Sequence, residues 1–252
     1  MKITIDTRKS LHENAAEYYE KAKKIRKKIQ GLEKAIEETK KEIKKAEKEE
    51  EEKKEKEKRK SREKKWYEKF HWFYTSNNKL CIGGRDASQN DLIFKKYMED
   101  SDLFFHADII GGSVVILKDG INADEQEKRE CAQFAASFSK AWGSRYSTID
   151  VYSLKKEQLS KHSQGEYVGK GGIAMEGERE WFKNTPLILR VGVGEEEIEI
   201  VPECSKRILK KNKKLTPGKE GKEKIAKFLS KLFGVHTDEL IAILPSGGCS
   251  IR

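Results

Sequence analysis

The chain has 252 residues, of which 36% are hydrophobic and 38% are charged, and its formal net charge is +10. This balance is too polar for a uniformly globular chain, so a long segment must be exposed to solvent. No apolar run approaches the ~20 residues that cross a bilayer, and the first residues lack the apolar stretch of a secretory signal. We therefore expect a cytoplasmic protein without a membrane partner.

The positive charge is concentrated at the two ends of the chain. Residues 1–65 carry 24 Lys and Arg against 16 Asp and Glu, and residues 203–252 carry 12 against 5, whereas residues 66–202 carry 17 against 22. Basic segments are typical of proteins that contact a polyanion, because each Lys or Arg on a phosphate releases condensed counterions. For the first segment, ordinary solubility charge is the alternative.

Residues 1–65 are predicted to form a coiled-coil helical arm. Apolar or small residues recur there in alternating steps of four and three, which defines a heptad seam: Tyr18, Ala22, Ile25, Ile29, Leu32, Ile36, Thr39, Ile43 and Ala46. Residues 47–65 are rich in Glu and Lys, as in a single helix stabilised by pairs four residues apart. A seam must be buried, so we expect self-association or a partner helix.

Residues 66–252 are predicted to form an α+β domain with a mixed or antiparallel sheet and packed helices. Two hairpins are predicted, the first around the turn Ser76–Asn78 and the second over residues 187–201. Other predicted strands are 103–107, 113–117 and 148–154. Helices are predicted at 90–98, with Ser88 as N-cap, and at 123–142, 219–233 and 238–243.

The most distinctive polar stretch is Gly83–Asn90, which contains Arg85, Asp86, Gln89 and Asn90. Two glycines, a cation, an anion and a capped helix form a turn whose helix N-terminus could accept a phosphate. An ion pair between Arg85 and Asp86 that holds the turn is an equally good interpretation. The spacing matches neither a P-loop nor a dinucleotide fingerprint.

His106 and Asp108 lie on one face near the end of a predicted strand, because side chains alternate along a strand. An RNA-processing hydrolase could use them, but no H-E-x-x-H or G-x-S-x-G motif and no Cys/His cluster supplies a metal or a nucleophile. The four cysteines are far apart in the sequence, which fits neither a zinc site nor a disulfide framework. We therefore expect no catalytic residue, metal or cofactor.

Five large rings lie within the eight residues from Trp66 to Phe73, and Trp72 is one of them. Rings beside positive charge could stack on exposed bases. The alternative is that these rings form the core of the domain, because one side of a strand is normally buried.

The segment Cys204–Leu215 is strongly basic. On a helix or turn it would form a cationic ridge that contacts backbone phosphates, and a solvated basic loop is the alternative. The residues of this predicted ridge are Lys206, Arg207, Lys210 and Lys211.

Four motifs in order resemble the RNA-binding NFACT-R domain: W-Y-E-K-F-x-W-F from Trp66, I-G-G-R-D-A-x-Q-N from Ile82, F-H-A-D from Phe105, and P-S-G-G from Pro245. This domain belongs to the NFACT family of ribosome quality-control and nuclear export mediator proteins. Ser10–Tyr19 is similar to the coiled-coil region that precedes the domain in the family.

The resemblance implies a non-enzymatic module that binds tRNA, ribosomal RNA and the large ribosomal subunit carrying a stalled nascent chain. It implies a polar surface or framework made of Arg85, Asp86, Gln89, Asn90, His106 and Asp108. The sequence departs from the family at Ile110–Gly112, where relatives commonly have a His-Gly-Ala type of turn. No NFACT-N domain is recognised, so we expect no tail synthesis by this chain alone.

A rival hypothesis from another class is a coiled-coil oligomerisation or protein-adaptor module. Binding to a protein partner would be insensitive to salt, whereas binding to phosphates would weaken steeply as salt rises.

Overall fold

The computed structural model describes residues 4–60, 65–163, 166–167, 169, 172–195 and 197–252. The chain divides into two compact units, Met1–Lys64 and Lys65–Arg252. This division lies one residue before the predicted boundary. Among the described residues, no helix combines the length and the apolar character needed to cross a membrane.

The first unit is dominated by helix α1, which runs from Leu11 to Lys60 over 50 residues. A capping box begins it: the Ser10 hydroxyl accepts from the Glu13 amide at 3.3 Å, and the Glu13 carboxylate accepts from the Ser10 amide at 2.8 Å. The long predicted helix is therefore confirmed. For the Glu/Lys pairs predicted over residues 47–65, the structure describes the helix backbone as far as Lys60 but not the side chains of residues 47–64.

The second unit combines antiparallel sheets with packed helices, which confirms the predicted α+β class. In chain order its strands are β1 (His71–Tyr74), β2 (Leu80–Gly83), β3 (Leu103–Ala107), β4 (Val115–Leu117), β5 (Thr148–Lys155), β6 (Leu159–Ser160), β7 (His162–Ser163), β8 (Glu166–Tyr167), β9 (Ala174–Met175), β10 (Glu180–Pro186), β11 (Leu189–Val193), β12 (Ile198–Pro202), β13 (Lys210–Glu220) and β14 (Cys249–Ile251). Its helices are α2 (Ala87–Leu92), α3 (Glu125–Ser137), α4 (Lys140–Gly143), α5 (Lys222–Phe233) and α6 (Thr237–Ile243).

Two sheets organise this unit. The larger has six strands in the order β1-β2-β4-β3-β5-β10, and the smaller has four in the order β12-β11-β13-β14. Neighbouring strands in both sheets are antiparallel. Helix α2 continues as a π-helical turn, Ile93–Tyr97, and the short strands pair as β6-β9 and β7-β8.

Alternation along the strands gives the larger sheet two different apolar faces. One face packs on α3, where the rings of Phe73 and Phe134 lie 4.7 Å apart, and the smaller sheet completes this core. The opposite face packs on the aromatic segment before β1 and forms a second core. Phe104 and Tyr152 of the sheet belong to this core, as do Tyr67 and Phe70 of the aromatic segment. Most of the rings predicted at Trp66–Phe73 therefore stabilise the fold.

Two predicted elements are wrong in detail. Of the helix, turn and loop considered for Cys204–Leu215, the helix is wrong: residues 205–209 are irregular, and Lys210 begins β13, because β11 supplies a pairing partner and Val191 lies opposite Lys213. The helix predicted at 123–142 is two helices, since Ser139 interrupts it and its hydroxyl accepts from the Ala141 amide at 3.2 Å to cap α4.

Candidate nucleic-acid interface

The second unit has an open cavity of about 1060 Å³ where β2 and β3 end on either side of the start of β4. The turn between β2 and α2, the connection between β3 and β4, and the start of α4 form much of its wall. Five residues predicted as site residues line it: Arg85, Asp86, Asn90, His106 and Asp108. Two groups that are separate in the sequence therefore meet in one place.

The turn between β2 and α2 is held by reciprocal hydrogen bonds. Asp86 caps α2, because its carboxylate accepts from the Gln89 amide at 2.9 Å. The Gln89 side chain turns back to accept from the Arg85 amide at 3.1 Å. The predicted cap, Ser88, is wrong, because the helix already begins at Ala87. Gln89 does not line the cavity, but its side chain holds the turn that does.

Arg85 is anchored to the aromatic segment rather than to Asp86. Its guanidinium donates to the backbone carbonyls of Phe70 at 3.0 Å and Glu68 at 3.4 Å, and burial lowers its pKa. Within the described part of the chain, no ion pair joins Arg85 to Asp86. The Arg85 side chain is still exposed on the cavity wall, where it could meet a phosphate.

Asn90 connects α2 to the larger sheet. Its side-chain oxygen accepts from the buried Val114 amide at 3.2 Å. Gly84 makes room for this contact, because a Cβ at that position would lie 2.1 Å from the same oxygen. Asn90 therefore acts as framework for the cavity.

His106 is packed against Tyr152, whose hydroxyl lies 3.3 Å from the His106 Nδ1. Burial lowers the pKa of His106, although backbone hydrogen bonds and the Asp108 carboxylate act in the opposite direction. Asp108 is exposed beside it, and its amide donates to the Asp150 carbonyl at 2.8 Å. Among the described residues, no group of three or more His, Cys, Asp or Glu side chains could hold a metal ion.

Among the cavity residues that were not predicted from the sequence are Lys140 and Tyr152. Lys140 is exposed and lies over Gly111, since a Cβ built on that glycine would be 2.4 Å from the Lys140 Cε. Ile110 is 92% exposed on the same loop. Lys140 is 29 positions from Gly111 in the chain, so no local pattern could have placed it there.

The predicted basic ridge lies elsewhere. The Lys206 amide donates to the Ser76 hydroxyl at 3.0 Å, and Arg207 approaches the Asn78 side chain at 3.4 Å. These contacts are at the turn of the first hairpin, whereas Gly84 is at its other end. At ~3.3 Å per residue of strand, the two places are on the order of 15 Å apart.

Arg207 differs from the lysines of the ridge. It makes two bonds to the Glu199 carboxylate, at 2.6 Å and 3.1 Å, and this carboxylate raises its pKa. The other three residues of the ridge, Lys206, Lys210 and Lys211, are exposed. The exposed cationic surface is thus formed by the lysines, and Arg207 is largely neutralised.

Trp72 is not among the residues that line the cavity. Its ring is partly buried and lies 4.9 Å from the Tyr67 ring and 5.9 Å from the Tyr74 ring, edge to face in both cases. These contacts belong to the second core of the larger sheet.

Comparison with known proteins accounts for much of the chain. Residues 69–177 match the family model described as the NFACT protein RNA binding domain, and residues 1–65 match the model of the NFACT N-terminal and middle domains. The chain belongs to the NFACT family. The expectation that no part of the NFACT N-terminal model is present is corrected, because α1 falls within that match.

Several NFACT relatives are similar to this chain. The archaeal Rqc2 homolog aRqcH of Methanocaldococcus jannaschii is 43% identical over 197 residues, which cover 74% of this chain and 29% of the relative. The ribosome quality control complex subunit NEMF homolog of Drosophila melanogaster is 38% identical over 127 residues, 49% of this chain and 13% of the relative. The human ribosome quality control complex subunit NEMF is 33% identical over 127 residues, 49% of this chain and 12% of that protein.

The chain therefore spans less than a third of the length of these NFACT relatives. Among solved structures, the C-terminal part of the fibronectin/fibrinogen-binding protein of Streptococcus suis aligns with a TM-score of 0.41 at 25% identity, over 50% of this chain and 47% of the other. The match to the NFACT RNA binding domain includes Arg85, Asp86, Asn90, His106 and Asp108, whereas the lysines of the ridge lie beyond it.

Proposed function

We propose that residues 65–252 form a non-enzymatic, cytoplasmic module that binds tRNA and ribosomal RNA of the large subunit during quality control of stalled nascent chains. The match to an RNA binding domain and the ribosome quality-control names of the relatives support this proposal. The observation that carries it is the convergence of predicted polar residues on one open cavity, which Lys140 also lines.

The polar groups around the cavity are engaged in ways that suit binding rather than turnover. Asp86 caps a helix, Asn90 holds a buried amide, and Arg85 holds two carbonyls. A catalytic acid or base needs a free site within hydrogen-bond reach of its substrate. These side chains instead hold the backbone of the cavity wall in place, and the cationic side chains of Arg85 and Lys140 on this wall are exposed to a ligand.

The three exposed lysines of the ridge supply a test. We expect Lys206→Gln, Lys210→Gln and Lys211→Gln together to flatten the dependence of log K on log salt by about 1 for each lysine that contacts a phosphate. Binding of tRNA and of large ribosomal subunits would be measured across a salt series. Arg207 is left intact, because its removal would leave Glu199 without its partner.

A matched control changes to Gln three lysines outside this segment that are already paired with carboxylates: Lys128 with Glu180, Lys156 with Asp100 and Lys224 with Glu220. It changes the net charge equally but should leave the salt dependence as in the wild type. Equal flattening by both triple variants would contradict a specific phosphate surface. Absence of binding to either target at low salt would abandon the proposed function.

A different observation favours the oligomerisation or adaptor role as a second candidate. Six large residues of the seam are 43% to 62% exposed along α1: Tyr18, Ile25, Ile29, Leu32, Ile36 and Ile43. An apolar stripe of this length is stable in water when it is buried against another helix.

If the chain associates with a second copy through this seam, we expect sedimentation velocity to show the wild type as a dimer. Ile29→Asp with Ile36→Asp should return the chain to a monomer, because a charge at a seam position has no apolar partner. Lys27→Asp with Lys34→Asp, two positions outside the seam, should leave the dimer intact. A wild-type monomer at every concentration would instead require a helix from another protein.

A further inference from the structure

Three side chains form a continuous row toward one edge of the larger sheet. Trp181 on β10 is paired with Tyr152 on β5, and Tyr152 is paired with His106 on β3, so the three project from the same face. The ring centroids of Trp181 and Tyr152 lie 5.3 Å apart, and those of Tyr152 and His106 lie 5.8 Å apart. The row leads from the cavity, which His106 and Tyr152 line, to the sheet edge.

Cations surround the outer part of this row. The Arg179 Cζ lies 4.4 Å from the centre of the Tyr152 ring and 5.9 Å from that of Trp181, and the Lys183 Nζ lies 3.9 Å from the centre of Trp181. Lys183 is paired with Asp150 at 2.8 Å. Arg179 is exposed and has no ion-pair partner among the described residues. Its positive charge is therefore available to a ligand.

The backbone of this edge does not favour addition of a strand from a protein partner. β10 is the last strand of the sheet, and its register shifts between Phe182 and Thr185. Asn184 in this bulge has φ +52°, and its amide donates to the Asp150 carboxylate at 2.8 Å. A bulge interrupts the regular row of free amides and carbonyls that an added strand needs. A ligand would therefore be bound by side chains.

We propose that Trp181 and Arg179, supported by the Tyr152 ring, which is itself only 5% exposed, form a stacking platform for an unpaired nucleotide of RNA. Trp181 is 39% exposed, so part of its ring is accessible to a base. Every base has a flat π surface that can stack on an aromatic ring or on a planar guanidinium. The adjacent phosphates would meet Arg179 and Lys183. This inference rests on the proposed function and specifies single-stranded RNA at this part of the site.

The test compares a short fluorescein-labelled oligouridine with a blunt RNA duplex of the same length, by fluorescence anisotropy with the whole chain. Trp181→Ala should weaken oligouridine binding about tenfold, while duplex binding changes less than about twofold, because paired bases cannot stack on the platform. Trp181→Phe should retain most of the affinity. Arg179→Lys should lose part of it despite an unchanged charge, because an ammonium is not planar.

Trp66→Ala is the matched control. Trp66 belongs to the same unit, is 45% exposed and is stacked on Tyr97 at 4.7 Å, and we expect its removal to leave both affinities unchanged. Equal losses in the Trp66 and Trp181 variants, or equal losses for duplex and oligouridine, would overturn the platform. Thermal unfolding of each variant checks that the fold is intact, and the exposed Arg179 provides a second variant should Trp181→Ala not fold.

The two proposals fail in different ways. If the wild type binds oligouridine, duplex and tRNA in a salt-dependent manner and Trp181→Ala changes nothing, only the platform is overturned. If the wild type binds none of these RNAs at low salt, the proposed function is overturned together with the platform.

Discussion

As the pH is lowered from about 6 to about 4, the buried residue His71 is expected to reduce the free energy of unfolding by about 1.4 kcal/mol for each pH unit. Burial, with a smaller effect from the charges of Arg85 and Lys222, lowers its pKa from 6.5 to about 3. The unfolded chain therefore binds a proton near pH 6.5 that the folded protein excludes until about pH 3. Stability contributed by neutral His71 is complete above this window and is lost as the pH falls through it.

His71→Phe would isolate this effect in urea unfolding at a series of pH values. The His71 ring stacks on Phe138 with centroids 4.1 Å apart, and its Nδ1 has no hydrogen-bond partner among the described residues. Phenylalanine keeps an aromatic ring on Phe138 and cannot bind a proton. The variant should therefore be more stable than the wild type by about 2–3 kcal/mol near pH 4.5. His106, whose pKa is also lowered by burial, leaves a residual slope in both proteins.

His12→Gln serves as the control, because it replaces an exposed imidazole on α1 without removing a buried ring. Parallel stability curves for the wild type and His71→Phe would show that His71 is not buried in its neutral form.

Gly84→Ala is expected to lower the free energy of unfolding by about 2–4 kcal/mol. The new Cβ would lie 2.1 Å from the Asn90 side-chain oxygen and 2.9 Å from the Asn90 backbone nitrogen. Asn90 could move only by giving up the Val114 amide, which would then be buried without an acceptor. The same movement would distort the cavity wall, so RNA affinity should fall together with stability.

Urea unfolding of Gly84→Ala, Asn90→Ala and the double variant would measure the coupling between the two residues. The double variant should cost less than the sum of the single variants, because Asn90→Ala removes the oxygen that the new Cβ meets. Gly143→Ala is a matched control at the same cavity, since the nearest atom to its Cβ would be 3.8 Å away. Additive costs at Gly84 and Asn90 would refute the steric explanation.

Features that depend on local chemistry were predictable from the sequence. The hairpin turn Ser76–Asn78 places Asn78 at φ +62°, a conformation that asparagine tolerates. The strand predicted at 103–107 is β3, because consecutive large apolar residues followed by a histidine favour an extended, buried segment. The turn with Arg85 and Asp86 was also predicted, since its two glycines are a local signal, although Asp86 and not the predicted Ser88 caps the helix that follows.

Features that depend on distant residues were not predictable. Lys210 lies in a run of lysines with no alternation, and it is extended because β11 offers a partner. Arg207 looks like any other cation in the sequence, but Glu199 neutralises it in the fold. The importance of Trp181 depends on its pairing with Tyr152 across β10 and β5, and no sequence pattern predicted β10.

The core beneath α3 makes residues 65–252 a single folding unit. Its members come from both sides of residue 177, where the match to the RNA binding domain ends: Phe73, Phe105 and Phe134 before it, and Leu189, Val201 and Leu215 after it. A fragment cut at that limit would leave the apolar surface of α3 in water, and such surfaces drive aggregation or molten, loosely packed states. Recombinant fragments should therefore keep residues 65–252 together.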